Sequence, residues 1–484
     1  MTVEVLTKVE PESTSARRKL LLPAVCLSLA TVVSAVTSLN VALPDLARDT
    51  AASQTQISWV IDAYALVFAS LLLVGGAVGD RYGRRLALHA GLAIFGVTSL
   101  LAMFTDSIGT LIGLRGLLGI GAALVMPATL STITTVYSDK ERLRAIGIWS
   151  GVAGASAVLG LVVSGTLLEW FSWRSVFGLN IVLAVVAAVL VARAVPESAE
   201  KQSHRLDLGG AALFVLSIGS LIYSIIEAPT AGWDSLRTVF GLLFGGIMLA
   251  VTVAWELRVA HPLLDPRLFR NRGFSTSAAS ITVQFAAFFG FVFLMMQYLQ
   301  LVAGLRPIVA AVCMLPMAAG LMGSSRNAHH VTSKLGHVKT CVLGLTLIVV
   351  AMLTLSTLGG DIDYLVLFVG LPILGAGMGL AMTPATSALT ESLPADQQGV
   401  ASAMNDLARE LGGAVGIAVF GSVLASTLTD QLGENGGIGQ LAHATGAAGD
   451  LARQAFADGL GNSLVLGAIA VGVTAIGVAI SARR

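Results

Sequence analysis

The chain has 484 residues, of which 55% are hydrophobic and 12% charged, and its mean hydropathy is +0.83; a soluble domain carries charge on about a quarter of its residues, so a soluble fold is excluded. The balance of 29 basic against 28 acidic residues, the 6% aromatics and the placement of all three cysteines (Cys26, Cys313 and Cys341) in apolar runs exclude a nucleic-acid surface, a disulfide framework and a zinc site with paired ligands.

A helix needs about 20 mainly apolar residues to cross the hydrocarbon core. Cutting the chain at charge clusters, Gly/Pro breaks and polar runs predicts fourteen spans, at 20–44, 57–78, 87–105, 109–136, 145–169, 176–194, 208–228, 236–256, 274–303, 308–326, 340–358, 364–388, 401–428 and 459–481. The fold class is thus an all-α membrane protein. An even number of spans leaves both termini on one side. With that side cytoplasmic, 22 of the 29 Lys and Arg lie in inside segments and only Arg48, Arg174, Arg237, Arg306 and Arg453 lie outside, while Arg115 and Arg409 fall within spans. This bias is the retention pattern of a multi-pass protein of the cytoplasmic membrane with both termini in the cytoplasm. Residues 1–19 read as a cytoplasmic tail, and the Gly/Ala/Asp-rich outside stretch 429–458 as a loop, partly disordered or a short amphipathic helix.

The chain repeats itself. LGIGAALVMPATLS at 118–131, in span 4, aligns with LGAGMGLAMTPATSA at 374–388, in span 12, at an offset of 256 that becomes 257 after Thr383. Asp80-Arg81-Tyr82-Gly83, after span 2, echoes Ser333-Lys334-Leu335-Gly336, after span 10, at an offset of 253. Each match shifts by eight spans. An even shift preserves orientation, so the reading is two six-helix bundles related as a parallel pseudo-repeat, 20–207 and 257–484, with an inserted helix pair at 208–256. Such bundles enclose a cavity near the midplane, which implies a transporter.

GGAVGDRYGRR at 75–85 joins spans 2 and 3. Gly76 and Gly83 permit close approach and positive φ. Asp80 can accept from Arg81 or Arg84, or cap a helix of the other bundle, which would latch the inside gate; the plainer reading is a tight turn anchored by Arg81, Arg84 and Arg85.

This segment resembles the signature loop of the major facilitator superfamily. The fourteen spans, together with QISWVIDAYALVFASLLL (56–73), LIGLRGLLGIGAALVMPATL (111–130), WSGVAGASAVLGLVVSGTLLEWFSWRSVF (149–177), PLLDPRLFRNRGF (262–274) and GVASAMNDLARELGGAVGIAVFGSVLAS (399–426), look like its 14-helix drug:proton antiporter branch. The resemblance implies proton transfer at Arg115, early in span 4; otherwise that buried guanidinium is an interbundle hydrogen-bond anchor. It also implies a Gly-Pro motif in span 5 that packs the two bundles together. Here those positions are Ser156, Gly160, Leu161, Ser164 and Gly165, with Leu161 in place of proline, and the branch's usual span 1 acid is Ala35.

The acids carry the energetics. Asp406 and Glu410 lie four residues apart on one face of span 13, beside Asn405 and Arg409. Two carboxylates in a dry site hold a proton that Arg409 or a bound cation displaces; the plainer reading is a salt bridge snorkelling to the inner edge. Asp62 in span 2 is a further proton-coupling candidate, or an interfacial acid. For substrate contact the candidates are Asn40, Tyr64, Trp149, Phe285, Phe289, Gln297 and Asn405, since aromatic faces attract organic cations, although a Phe/Met stripe such as span 9 more commonly packs a core. Trp59 is a further substrate-contact candidate or, like Trp170 or Trp173, an interfacial anchor. The chain contains no GxxxxGK[ST], so pumping must be secondary, and no cofactor, metal or nucleic acid is expected. The expected partners are a small hydrophobic or cationic substrate, protons and the lipid bilayer. The function these readings give is proton-coupled export of hydrophobic or amphiphilic drugs. The alternatives are a dedicated exporter of one metabolite or antibiotic, and a non-transporting receptor or enzyme on the same bundles.

Overall fold

The computed structural model describes residues 12–50, 54–197, 207–260, 262–394, 397–433 and 446–481. The described residues form fourteen helices long and apolar enough to cross a membrane. They are α1 (Glu12–Thr50), α2 (Gln54–Tyr82), α3 (Arg84–Met103), α4 (Ile108–Val136), α5 (Asp139–Trp170), α6 (Ser175–Ala194), α7 (Leu208–Ala231), α8 (Leu236–Glu256), α9 (Arg272–Gln297), α10 (Pro307–Cys313, resuming as Leu315–Leu335), α11 (His337–Leu355), α12 (Tyr364–Glu391), α13 (Gln398–Leu432) and α14 (Gly446–Ser481). In number and order they match the predicted spans.

Their ends do not match. The helix α13 overruns its predicted 401–428, and α14 begins at Gly446 rather than 459, so most of the expected outside loop is helix and only 434–445 of it lies outside the described residues. Hydropathy marks where the hydrocarbon ends, whereas backbone hydrogen bonding carries a helix on into water until a cap stops it. The polar extension of α14 is tied down by Gln454, whose Nε2 donates to Asp458 Oδ1 (2.9 Å), and by Asp458 Oδ2, which accepts from Gln431 of α13 (3.0 Å). Caps are placed where short polar residues precede apolar runs: Asp207 Oδ1 accepts from Gly210 N (2.9 Å) and Asp363 Oδ1 from Leu365 N (2.8 Å).

Helix packing is duplicated. In the first half α1 packs on α5 and α6, α2 on α4, and α3 on α4 and α6; in the second half α9 packs on α13 and α14, α10 on α12, and α11 on α12 and α14. Every pair recurs with a shift of eight helices. Close glycine crossings recur as well. A Cβ on Gly91 would stand 2.7 Å from the carbonyl oxygen of Gly121, and one on Gly344 would stand 2.7 Å from that of Gly377. Only glycine lets these backbones touch. The turn glycines Gly83 (φ 108°) and Gly336 (φ 81°) are repeat-related too.

The two halves meet along two seams, α2 against α13 and α5 against α10, while α7, paired with α8, packs on both α2 and α13. Along the second seam Gly151 approaches Met322 and Gly165 approaches Ile308 (3.2 Å from a Cβ on Gly165 to Ile308 Cδ1), whereas Gly160 faces Ser34 and Thr37 of α1. The span 5 motif therefore divides its work: Gly160 seats α5 inside its own half, and Gly147, Gly151, Gly154 and Gly165 form the approach to α10.

Candidate functional site

At the α2–α3 turn, Asp80 is buried. Its Oδ1 accepts from Arg84 Nη2 (2.7 Å) and from Gly399 N (2.8 Å), and its Oδ2 accepts from Gly399 N (2.8 Å) and Val400 N (3.2 Å). Both partners weighed from the sequence, an arginine and the far bundle's helix end, are engaged at once. The residue before α13, Gln397, supplies no side-chain cap of its own, so a carboxylate from the other half of the chain satisfies the first amides of α13 and faces the positive end of its dipole. The fit depends on Gly76 and Gly399. A Cβ on Gly76 would stand 2.8 Å from Ala403 Cβ, and one on Gly399 would stand 2.6 Å from Asp80 Oδ2. Arg81 lies over the Tyr82 ring (5.3 Å), and Arg85 donates to the Ala192 carbonyl at the end of α6 (3.0 Å). The repeat-related Ser333 donates to the His330 carbonyl of its own helix (2.9 Å), so it does not reproduce the bridge.

A second group of charges lies deeper. Among the described residues the buried charged side chains are Asp80, Arg84, Arg115, Glu256, Asp406 and Arg409. Arg115 donates from Nε to the Val60 carbonyl of α2 (2.8 Å) and lies over the Tyr64 ring (4.6 Å). Its anchor is thus inside its own half rather than across the bundles. Asp406 Oδ1 is 3.5 Å from Arg409 Nη1 and accepts from Asn405 Nδ2 (3.3 Å). Asn405 Oδ1 in turn accepts from Thr386 of α12 (2.9 Å). The Arg409 guanidinium lies between two rings, 4.6 Å from Phe285 of α9 and 5.5 Å from Trp149 of α5, and Trp149 Nε1 donates to Thr129 Oγ1 of α4 (3.0 Å). Glu410, half-buried, is within electrostatic range of Arg409, Asp406 and Tyr64.

Tyr64, Arg115 and Trp149 from the first half and Phe285, Asn405, Asp406, Arg409 and Glu410 from the second are thereby brought to one interface. Glu410 lies twelve residues into α13, about 18 Å along it at 1.5 Å per residue, and Tyr64 lies ten residues into α2 from the opposite end, about 15 Å, so the cluster lies well inside the helices rather than at an end.

Other candidates fall elsewhere. Phe289 backs Phe285 at 5.9 Å between ring centroids, behind the ring that meets Arg409. Gln297 donates to the Phe293 carbonyl of its own helix (3.2 Å). Asp62 lies within electrostatic range of the like-charged Glu227 of α7, where Trp59 stacks on Tyr223 (5.8 Å) and Arg237 bridges to Glu227 (3.3 Å). Asn40 lies on α1, with its side chain outside the described residues. Trp173 is not an interfacial anchor: it is buried and donates to Asp49 Oδ2 (2.9 Å), whereas Trp170 is exposed. Thr129 and Thr386 were missed, although their signal lay in the aligned repeats. They are 257 residues apart, and each bonds a side chain on the following helix, Trp149 or Asn405, which are themselves 256 apart.

A duplicated bundle with charged side chains buried where its halves meet, joined at one end by a carboxylate on a helix terminus, is a membrane transporter. The chain belongs to the Major Facilitator Superfamily, whose family model matches residues 25–417; its members are transporters rather than enzymes. It is 34% identical to the methyl viologen resistance protein SmvA of Salmonella typhimurium, over 82% of this chain and 80% of that protein. It is 32% identical to the multidrug efflux pump LfrA of Mycolicibacterium smegmatis, over 93% of each. The structure of the human organic anion transporter MFSD10 (TETRAN) has the same fold, with a TM-score of 0.63 at 14% identity, covering 94% of this chain and 99% of that one.

Proposed function

We propose that the protein is a secondary transporter of the cytoplasmic membrane that exports hydrophobic and amphiphilic compounds, organic cations among them, in exchange for protons. Both termini face the cytoplasm. The functional units are the tail 1–19, a first bundle 20–207, the inserted pair 208–256 and a second bundle 257–484. Asp80 with Arg84 holds the inner gate shut on α13, with Gly76 and Gly83 allowing the close turn and Arg81 and Arg85 anchoring it. Asp406 and Glu410 carry the proton or the cargo's charge, with Arg409 between them and Arg115 relaying across Tyr64; Asp62 serves as an outer acid. Trp149, Phe285 and Asn405 meet the cargo, with Phe289 backing Phe285.

The observation that carries this reading is the meeting of Asp406, Glu410 and Arg409 with aromatic rings from both halves, well inside the spanning helices. Carboxylates in such a place stay there only for a use, since an ionised side chain away from water costs several kcal/mol. The names of these relatives, one for methyl viologen resistance and one for multidrug efflux, support the cargo class and the outward direction. Everted membrane vesicles holding the protein are expected to accumulate ethidium when ΔpH is imposed and to release it when ΔpH is collapsed. Accumulation that ignores ΔpH would sink proton exchange, and no accumulation of any drug would sink export.

A further inference from the structure

Arg409 is an unusual arginine. It is buried, yet its Nε and Nη1 make no hydrogen bond, and the Oδ2 of the equally buried Asp406 makes none either. The ion pair between them is loose, at 3.5 Å. What surrounds the guanidinium is instead the Phe285 face at 4.6 Å, the Trp149 face at 5.5 Å and the Asp406 carboxylate, with that of Glu410 in electrostatic range. Two aromatic faces and an acid are the chemistry that recognises organic cations. The only cation occupying that chemistry among the described residues is one the chain itself supplies, on a flexible three-carbon stem.

We propose that Arg409 is a tethered stand-in for the cargo: its guanidinium fills the aromatic cation site, and an arriving lipophilic cation displaces it from Trp149, Phe285 and Asp406. This deepens the exporter reading and takes from it the location of the cargo site. The missing hydrogen bonds are what make displacement feasible. A guanidinium fixed by several charge-assisted bonds would lose them all on leaving, whereas this one gives up two ring contacts, a long ion pair and its attraction to Glu410, each of which the incoming cation restores. The tether also explains how the site stays closed to water when empty, since Arg409 covers the rings and neutralises Asp406. Cargo affinity is then set by competition, so that only cations that bind two rings and an acid better than a guanidinium does are admitted.

The test is equilibrium dialysis of tetraphenylphosphonium, a cation with no hydrogen-bonding group, against the purified full chain in nanodiscs at mildly alkaline pH. Arg409→Gln is expected to bind it on the order of tenfold more tightly than the wild type, the scale of a desolvated ring–cation contact. Arg409→Lys keeps a charge but loses the planar fork that lies flat on rings, and is expected to fall between the two. Adding Trp149→Ala to Arg409→Gln is expected to remove the gain. Equal or weaker binding by Arg409→Gln, the outcome if the guanidinium itself grips an acceptor group of the cargo, overturns the proposal. Should the Gln variant not fold, Arg409→Lys alone decides it in the same direction. Vesicle uptake by the wild type is read separately: the predicted affinity order without uptake keeps the stand-in and sinks the exporter, and uptake with flat affinities does the reverse.

Discussion

Asp80 does for α13 what a residue beside that helix would ordinarily do. Its carboxylate meets the Gly399 and Val400 amides while Arg84 balances its charge, so the bond that joins the halves is also the helix cap. Asp80→Asn keeps the shape and removes the charge. Hydrogen bonds to charged groups contribute roughly 1.5–3 kcal/mol each, so the joint is expected to open at least tenfold more often, read as faster maleimide labelling of a cysteine placed at Ser402, near the start of α13. Gly399→Ala, whose new Cβ meets the same carboxylate, is expected to act in the same direction; unchanged labelling in both variants would remove the gating role. At this scale the charged members of both groups were readable in advance, because ionised residues stand out in apolar runs. Their neutral partners were not. A carbonyl such as Val60 has no side-chain signal, and a threonine in a membrane helix, such as Thr386, ordinarily bonds its own backbone, as its neighbour Thr390 does.

Helices were readable in number because bilayer thickness sets a minimum apolar length, and unreadable at their ends because caps and polar extensions obey different physics, as the early start of α14 illustrates. Crossings were legible only in part. The repeat alignment brought Gly121 and Gly377 into register without saying that each touches a glycine on the preceding helix. Gly344→Val places two methyl groups where the α12 backbone stands, and overpacking of that kind costs about 1–3 kcal/mol. The melting temperature of the purified protein is therefore expected to drop by several degrees, whereas Gly113→Ala, whose Cβ would meet nothing within 4 Å, is expected to leave it unchanged. Equal melting in the two variants would show that the crossing tolerates separation. The span 5 motif teaches the same limit: small residues announce a close approach, but Gly160 turns to α1 and Gly165 to α10, a choice the spacing alone does not make.

For the molecule entire, duplication was the most informative reading, since a shift of eight helices in sequence reappears as a shift of eight in the packed pairs within the two six-helix bundles. It requires residues 85 and 334 to share one side of the membrane. Arg85→Cys and Lys334→Cys are both expected to react with an impermeant maleimide in everted vesicles and to resist it in intact cells; labelling from opposite sides would break the repeat and the orientation together. Asymmetry was the part composition did not reveal. Nothing in the length of the inserted pair said that α7 would settle across α2 and α13, with Tyr223 stacked on Trp59 and Trp233 donating to Ser422 of α13 (2.8 Å).

That strap gives the molecule a spine. Two covers bound along one edge do not part evenly: near the strap α2 and α13 are pinned at the end remote from Asp80, while no comparable packing of the inserted pair crosses α5 and α10 among the described residues. The halves are accordingly expected to swing like a book, with the free margin at α5–α10 travelling farther than the bound one. Spin labels paired across that margin are expected to spread over a wider range of separations during turnover than labels paired across α2 and α13, and cargo dissolved in the leaflet meets a doorway on a single flank.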